Sequence, residues 1–253
     1  MQILRVEQRG VTSFATPIDD NSLRLLSGAP WLSGTETSVV IPRREARLLA
    51  PVTPSKILCV GRNYAAHAKE LGNDVPSEPL LFLKPPSAVC GPEDEVRLPA
   101  MSQRVEHEAE LGVVIGKRLK DASPTEVRQA LFGFTCVNDI TARDLQKKDG
   151  QFTRAKGFDG FCPVGPCIVT DLDDSALDVS CRVNGQTRQH GNTRDMVFAV
   201  ADLIAFMSRV MTLEPGDLIS TGTPEGVGPL LAGDRVEVEV QGIGVLSNPI
   251  ASA

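Results

Sequence analysis

Two glutamates, Glu108 and Glu110, stand two residues apart in the run Val105-Glu106-His107-Glu108-Ala109-Glu110-Leu111, directly ahead of the apolar stretch Gly112-Val113-Val114-Ile115-Gly116. Residues at i and i+2 of a strand share a face, so this spacing predicts two carboxylates side by side at the edge of an apolar core. Carboxylates in that position require a cation to remain ionised. A second apolar run ends in Cys136-Val137-Asn138-Asp139, and its Asp139 supplies a third carboxylate. Three oxygen ligands with no neighbouring His or Cys pair describe a hard divalent ion, Mg²⁺ or Mn²⁺, rather than zinc. The same alternation also fits the solvated face of an antiparallel strand, with Glu106, Glu108 and Glu110 outward and Val105, Ala109 and Leu111 inward. Spacing by itself leaves both readings open.

A second pair, His67 and Glu70, lies three apart in Tyr64-Ala65-Ala66-His67-Ala68-Lys69-Glu70-Leu71. On a helix they share a face. A glutamate bonded to one imidazole nitrogen fixes the tautomer and leaves the other nitrogen a better base. An ordinary surface pair on an exposed helix fits the same residues. Lys156, in Arg154-Ala155-Lys156-Gly157-Phe158, reads on its own as a solvated loop lysine, and His107 and His190 read as structural. The turn Thr221-Gly222-Thr223-Pro224-Glu225-Gly226 is not a nucleotide loop, because no Lys-Ser or Lys-Thr follows and no dinucleotide pattern precedes it.

The elements that must position these groups are mostly short strands. Strands are expected around Leu4 to Val11 and at Lys56 to Val60, Leu80 to Leu83, Leu111 to Ile115 and Phe132 to Val137. A Pro-rich edge covers Cys162 to Val169. Val179 to Val183 turns at Asn184-Gly185, the strongest short hairpin signal, and returns through Gln186 to Gln189. Asp217 to Thr221 and Arg235 to Val240 close the series. Ser22 to Leu26 reads as a weak helical or turn segment. Ser123-Pro124-Thr125-Glu126 is a capping box opening a helix to about Leu131, and Met196 to Val210 carries an apolar face at helical spacing. No regular strand–helix alternation appears, which favours a mostly β, mixed α+β domain over a doubly wound fold. Pro51 and Pro54 mark a linker, dividing a small N-terminal unit, residues 1–50, from a larger domain, residues 51–253.

With 253 residues, 42% of them hydrophobic, the chain can build a substantial core. A net charge of −6 argues against a general nucleic-acid binder, and 4% aromatic residues leave little for stacking bases. No apolar stretch approaches membrane-spanning length, and the first residues lack a signal-peptide core. Six scattered cysteines without zinc spacing suit a reduced, cytoplasmic protein with buried thiols.

Taken together, Gly61-Arg62-Asn63-Tyr64-Ala65-Ala66-His67, Phe82-Leu83-Lys84-Pro85, His107-Glu108-Ala109-Glu110-Leu111, Asn138-Asp139-Ile140-Thr141-Ala142-Arg143-Asp144-Leu145-Gln146, Ala155-Lys156-Gly157-Phe158-Asp159, Thr221 to Pro229 and Gly242-Ile243-Gly244 resemble the fumarylacetoacetate hydrolase family, in consistent order over residues 51 to 250. The resemblance implies a β-roll of packed sheets, a homodimer and a mobile lid near the active site. It implies that Glu108, Glu110 and Asp139 hold Mg²⁺ or Mn²⁺. Some larger relatives add an acidic ligand upstream, but Gly61-Arg62-Asn63 offers none. It further implies that His67 and Glu70 form a base dyad in the lid and that Lys156 stabilises enolate charge. Arg143 and Gln146 would line the pocket, Arg143 fitting equally as a structural partner of a ligand carboxylate. Thr223 would bind a substrate carboxylate through its hydroxyl and backbone N–H, with Arg62 a further carboxylate partner. The implied activity is metal-dependent C–C bond cleavage of a small 2-oxo acid, as acylpyruvate hydrolase or oxaloacetate decarboxylase, through a pyruvate enolate. The alternative is the 2-hydroxyhepta-2,4-diene-1,7-dioate isomerase or 5-oxopent-3-ene-1,2,5-tricarboxylate decarboxylase of aromatic breakdown.

Overall fold

The strand Ala109–Ile115 is buried at every position and forms the middle of the molecule in a computed structural model that describes all 253 residues. It pairs antiparallel with Leu131–Asn138 on one side and Leu218–Ser220 on the other. Leu111, Val113 and Ile115 enter one apolar cluster, whereas Val114 enters another on the opposite face. A strand covered on both faces needs a continuous apolar run rather than alternation, which is what its sequence carries. Around it extends a twelve-stranded sheet whose main path runs Glu36–Pro42, Ser22–Leu26, Val11–Pro17, Gln2–Gln8, Cys162–Val169, Leu131–Asn138, Ala109–Ile115, Leu218–Ser220, Ile57–Gly61, Leu80–Lys84. A five-stranded sheet, Gln186–Asn192, Asp178–Val183, Arg235–Val240, Gly244–Ser252 and Val96–Leu98, packs Val179, Cys181, Val236, Val238 and Leu246 into the larger cluster. The predicted hairpin turn is present, with Asn184 and Gly185 both at positive φ, 52° and 74°. A small sheet of Thr141–Ala142, Val105–His107 and Gly228–Pro229 completes the mostly β architecture.

Five short helices cover it: α1 (Ala65–Glu70), α2 (Pro124–Ala130), α3 (Arg143–Asp149), α4 (Thr153–Lys156) and α5 (Val200–Val210). The capping box opens α2 as expected, Ser123 N donating to Glu126 Oε2 at 2.8 Å and Glu126 N to Ser123 Oγ at 3.3 Å. α5 starts at Val200 rather than Met196. The intervening backbone is diverted to α1, since Met196 bridges Tyr64 and Val197 N donates to Asn63 O. No helix is long and apolar enough to cross a membrane. None of the six cysteines is in a disulfide, and only Cys90 is not fully buried.

Three expectations need correcting. Ser22–Leu26 is a strand between Val11–Pro17 and Glu36–Pro42, because cross-strand pairing outweighs weak local preference. Cys162–Val169 lies inside the sheet, not at its edge. Pro166 is accommodated in the irregular stretch between the Cys136↔Gly165 and Phe134↔Val169 pairs, where the register shifts. Gly244–Ser252, absent from the sequence reading, is a nine-residue strand whose Asn248-Pro249 looks like a turn. Residues 1–50 continue the large sheet through Gln2↔Val169 and Ile3↔Ile168.

Candidate active site

Glu108 sits where the chain passes from the small sheet into the large one, between Val105–His107 and Ala109–Ile115. The two glutamates therefore do not share one unbroken strand. Backbone pairing brings the acids together instead. Ala109 pairs with Asn138, Asp139 N donates to Glu108 O at 2.8 Å, and Glu108 N donates to Asn138 Oδ1 at 3.0 Å. Carboxylate oxygens of Glu108, Glu110 and Asp139 lie within 4.8 Å of one another, and all three residues are buried. The solvated-face alternative fails, since Glu106 is buried too and accepts from Arg104 Nε at 2.5 Å and Arg143 Nε at 2.7 Å.

Three cations close around the acids. Lys156, on α4, is buried, contrary to a loop-surface reading. Its Nζ donates to Asp139 Oδ2 at 2.5 Å, Thr141 Oγ1 at 2.8 Å and Glu108 Oε2 at 2.9 Å. Lys84 Nζ donates to Asp139 Oδ1 at 2.5 Å and Ile140 O at 3.2 Å. Arg143 donates to Glu106, to Glu108 and to Gln146 Oε1. Burial alone would raise the Glu108 carboxyl, but Lys156 and Arg143 outweigh it and hold the group well below the usual range. Burial likewise works against the Lys156 ammonium, but Asp139 and Glu108 lift it well above its ordinary value, so it is cationic at neutral pH. Glu110 has no such cation. Its Oε2 accepts from Ser220 Oγ and from Gly222 N, yet burial, then Asp139, pushes it up to about 8. An all-oxygen set in which one acid lacks a positive partner fits a hard divalent ion, and Glu108, Glu110 and Asp139 are the residues that could hold one.

The acids form one wall of a cavity of about 450 Å³. α1 supplies another wall: His67 is buried, and its Nδ1 meets Glu70 Oε2 at 3.3 Å. Gly226 N donates to both Glu70 oxygens, at 3.0 and 3.2 Å, so the glycine turn anchors the dyad. Gly226 has φ +94°, and a Cβ there would lie 2.2 Å from Arg188 O, which demands glycine. With Nδ1 donating to Glu70, Nε2 is left as the basic nitrogen.

Arg143, Gln146, Thr223 and Arg62 all line this cavity. Arg143 lines the cavity, but three of its donors are committed to Glu106, Glu108 and Gln146, which makes it the partner of a ligand carboxylate. Gln146 accepts through Oε1 and keeps its amide N–H₂ as a donor toward the cavity it lines. The Thr223 hydroxyl cannot serve as the predicted donor: it gives its proton to Ala109 O at 2.8 Å and accepts from Gln189 Nε2 at 2.7 Å. Its backbone N–H remains without a partner in the chain. Arg62 lines the same cavity.

Two contributors escaped the sequence reading. Lys84 lay inside a quoted motif without a role; a lysine ending an apolar strand was the available signal. Gln189 had no local signal. Its Oε1 accepts from Ala109 N at 3.0 Å and meets His107 Nδ1 at 2.9 Å, bracing the backbone between Glu108 and Glu110. His107 is thus held in a buried network, and His190 is exposed on Gln186–Asn192.

A model of the fumarylacetoacetate (FAA) hydrolase C-terminal family matches residues 56–251, and an Rv2993c-like, N-terminal model matches residues 1–51. The human mitochondrial oxaloacetate tautomerase FAHD2A is 47% identical over 224 residues, covering 83% of this chain and 71% of the human one. An uncharacterized protein of Methanocaldococcus jannaschii is 54% identical over 78% of this chain and 83% of its own. The crystal structure of 5-carboxymethyl-2-hydroxymuconate delta-isomerase from Mycobacterium smegmatis superposes with a TM-score of 0.94 at 42% identity, covering 100% of both chains.

Proposed function

The chain belongs to the fumarylacetoacetate hydrolase family, and on that premise we propose that it is an enzyme that forms the enolate of a small 2-oxo acid with the aid of Mg²⁺ or Mn²⁺ and moves a proton at C3, as in keto–enol tautomerisation of oxaloacetate. The observation that carries this reading is Lys156, a buried ammonium bonded to Asp139 and Glu108, held cationic by them, and lining the same cavity as His67. A lysine in that state is neither a base nor an imine-forming amine. It is a fixed positive charge suited to an oxygen on which negative charge develops.

A divalent ion held by Glu108, Glu110 and Asp139 would add Lewis acidity toward the substrate's 2-oxo-carboxylate oxygens. His67 Nε2 takes the C3 proton, and Glu70 on Nδ1 stabilises the imidazolium that results. Lys156 offsets charge at the C2 oxygen. The imidazolium then returns the proton, to oxygen for the enol or to carbon for the keto form. The Thr223 backbone N–H and the Gln146 amide are the donors available for a carboxylate. Tautomerisation is favoured by the relatedness to the human oxaloacetate tautomerase.

C–C cleavage is the second reading. The dyad serves it as well, because His67 and Glu70 would equally activate a water for acylpyruvate hydrolysis, and loss of CO₂ from oxaloacetate leads to the same kind of enolate. Both readings are tested by following enol absorbance and pyruvate release together, with oxaloacetate and Mn²⁺. Accelerated interconversion without pyruvate supports tautomerisation, whereas stoichiometric pyruvate supports cleavage. Neither signal above the uncatalysed rate sinks tautomerisation and decarboxylation, and no pyruvate from acetylpyruvate under the same conditions sinks hydrolysis. His67→Ala is expected to slow the reaction by about 10²–10⁴-fold.

A further inference from the structure

Gln189 is fully buried, although its neighbours Arg188 and His190 on the strand Gln186–Asn192 are exposed. That strand is an edge of the five-stranded sheet and pairs only with Asp178–Val183. The pairing steps from Cys181↔Gln189 to Arg182↔Thr187, so Arg188 is an extra residue, a bulge of the kind that re-aims side chains beside active sites. At the bulge the strand lies against the glycine turn. A Cβ on Gly226 would lie 2.2 Å from Arg188 O, and one on Gly191 would lie 2.5 Å from Pro224 Cβ.

Every hydrogen-bonding group of the Gln189 amide is used. Oε1 accepts from Ala109 N at 3.0 Å and meets His107 Nδ1 at 2.9 Å, while Nε2 donates to Thr223 Oγ1 at 2.7 Å and to Pro224 O at 2.8 Å. Ala109 N can only donate and Pro224 O can only accept, so the amide has one orientation. One half of it holds the acid strand and the other half holds the turn.

The turn needs that second hold. Its first half is fixed on the acid strand, Gly222 N donating to Glu110 Oε2 and Thr223 Oγ1 to Ala109 O, each at 2.8 Å. Pro224 and Glu225 make no hydrogen bond with the chain except the one that Pro224 O accepts from Gln189. Directly after them, Gly226 N donates to Glu70, which meets His67. We propose that Gln189 is a positioning residue for the His67–Glu70 dyad, acting through the turn to set where Gly226 holds Glu70 relative to the acids. This rests on the base role given to His67 above. Gln189 does not line the cavity, so its effect belongs to kcat rather than to substrate binding.

Gln189→Glu in the Mn²⁺-loaded protein tests it. The new side chain keeps an oxygen for Ala109 N and His107 but loses the amide donors to the turn. It should lower kcat for oxaloacetate enolisation about 10–100-fold, the scale of a misplaced catalytic group, with KM and Mn²⁺ affinity within about twofold. In a Glu70→Ala background the same substitution should cost nothing further. Unchanged kcat, an equal loss in both backgrounds, or a loss explained by weakened Mn²⁺ binding would overturn the proposal. If the carboxylate prevents folding, the uncharged Gln189→Met runs the same cycle, and an equal loss in both backgrounds is again the contrary result. Hydrogen exchange reads the positioning without turnover: it should quicken over residues 65–71 and stay unchanged over residues 111–115, and unchanged exchange over 65–71 would also overturn the proposal. If the wild type turns over no oxaloacetate, or Glu70→Ala leaves kcat intact, the base reading itself falls and takes this role with it, whatever the exchange shows.

Discussion

Lys156 sets what the cavity can do, because its ammonium touches two of the three acids and lies 4.8 Å from the centre of the Phe82 ring. Lys156→Met should lower kcat by about 10²–10³-fold, the scale expected when one preorganised charge is removed. It should also destabilise the metal-free protein by about 3–5 kcal/mol, because Glu108 and Asp139 lose a buried partner. Thermal unfolding in EDTA and in Mn²⁺ checks this: the variant should gain more from the metal than the wild type does. An equal gain would mean that the ammonium does not neutralise the acids. At this scale the acids were legible as types at a spacing, and Lys156 through resemblance to a family. Lys84 and Gln189 were not, since each meets its partner from a strand distant in sequence. The Thr223 hydroxyl shows the complementary limit: its residue type was informative, but only the fold reveals that Ala109 O takes its proton.

Helix α3 carries Arg143 and Gln146, and its first turn is pinned by Asp144. Ser102 Oγ donates to Asp144 Oδ1 at 2.6 Å and Gln103 N to Oδ2 at 2.8 Å, while Arg143 N donates to Arg104 O at 2.7 Å. Slight burial would raise the Asp144 carboxyl, but the bonds from Gln103 and Ser102 outweigh it and hold it below its ordinary 3.8. The folded state therefore binds fewer protons than the unfolded one in that window. The resulting stabilisation is full above pH 3.8 and fades as pH falls through the lower folded value. Asp144→Asn should cost about 1 kcal/mol at neutral pH, with the gap from wild type closing under acid. Urea unfolding at neutral and acid pH checks it; a gap independent of pH would contradict the role given to the carboxylate. Elements with strong local chemistry, such as the α2 capping box and the Asn184-Gly185 hairpin, could be read directly. Gly244–Ser252 could not, because Asn248-Pro249 mimics a turn and the strand is defined by its pairing with Arg235–Val240 and Val96–Leu98.

Across the whole molecule, the large sheet is the shared frame: Glu110 lies on a central strand and Glu108 and Asp139 lie at the ends of central strands, while its outer strands run into residues 1–50. Trp31, the only tryptophan, stacks edge-on against Phe14 at 5.2 Å and Phe132 at 5.4 Å, joining that N-terminal segment to the strand before Asp139. Its fluorescence should therefore change in the same urea transition as far-UV circular dichroism. A separate, earlier fluorescence transition would make residues 1–50 an independently unfolding unit. The mostly β class was legible from short strands without helix alternation. The sheet order was not, because Gln2–Gln8 pairs with Cys162–Val169, a contact that local sequence does not encode.

The most direct test of the central claim is proton exchange at C3 of oxaloacetate in D₂O, followed by NMR with purified protein in Mg²⁺ or Mn²⁺ and then in EDTA. Exchange accelerated by the protein, abolished by EDTA and restored by added metal is the predicted result. Exchange unaffected by the metal-loaded protein, or accelerated equally in EDTA, would contradict metal-assisted enolate formation at Glu108, Glu110 and Asp139.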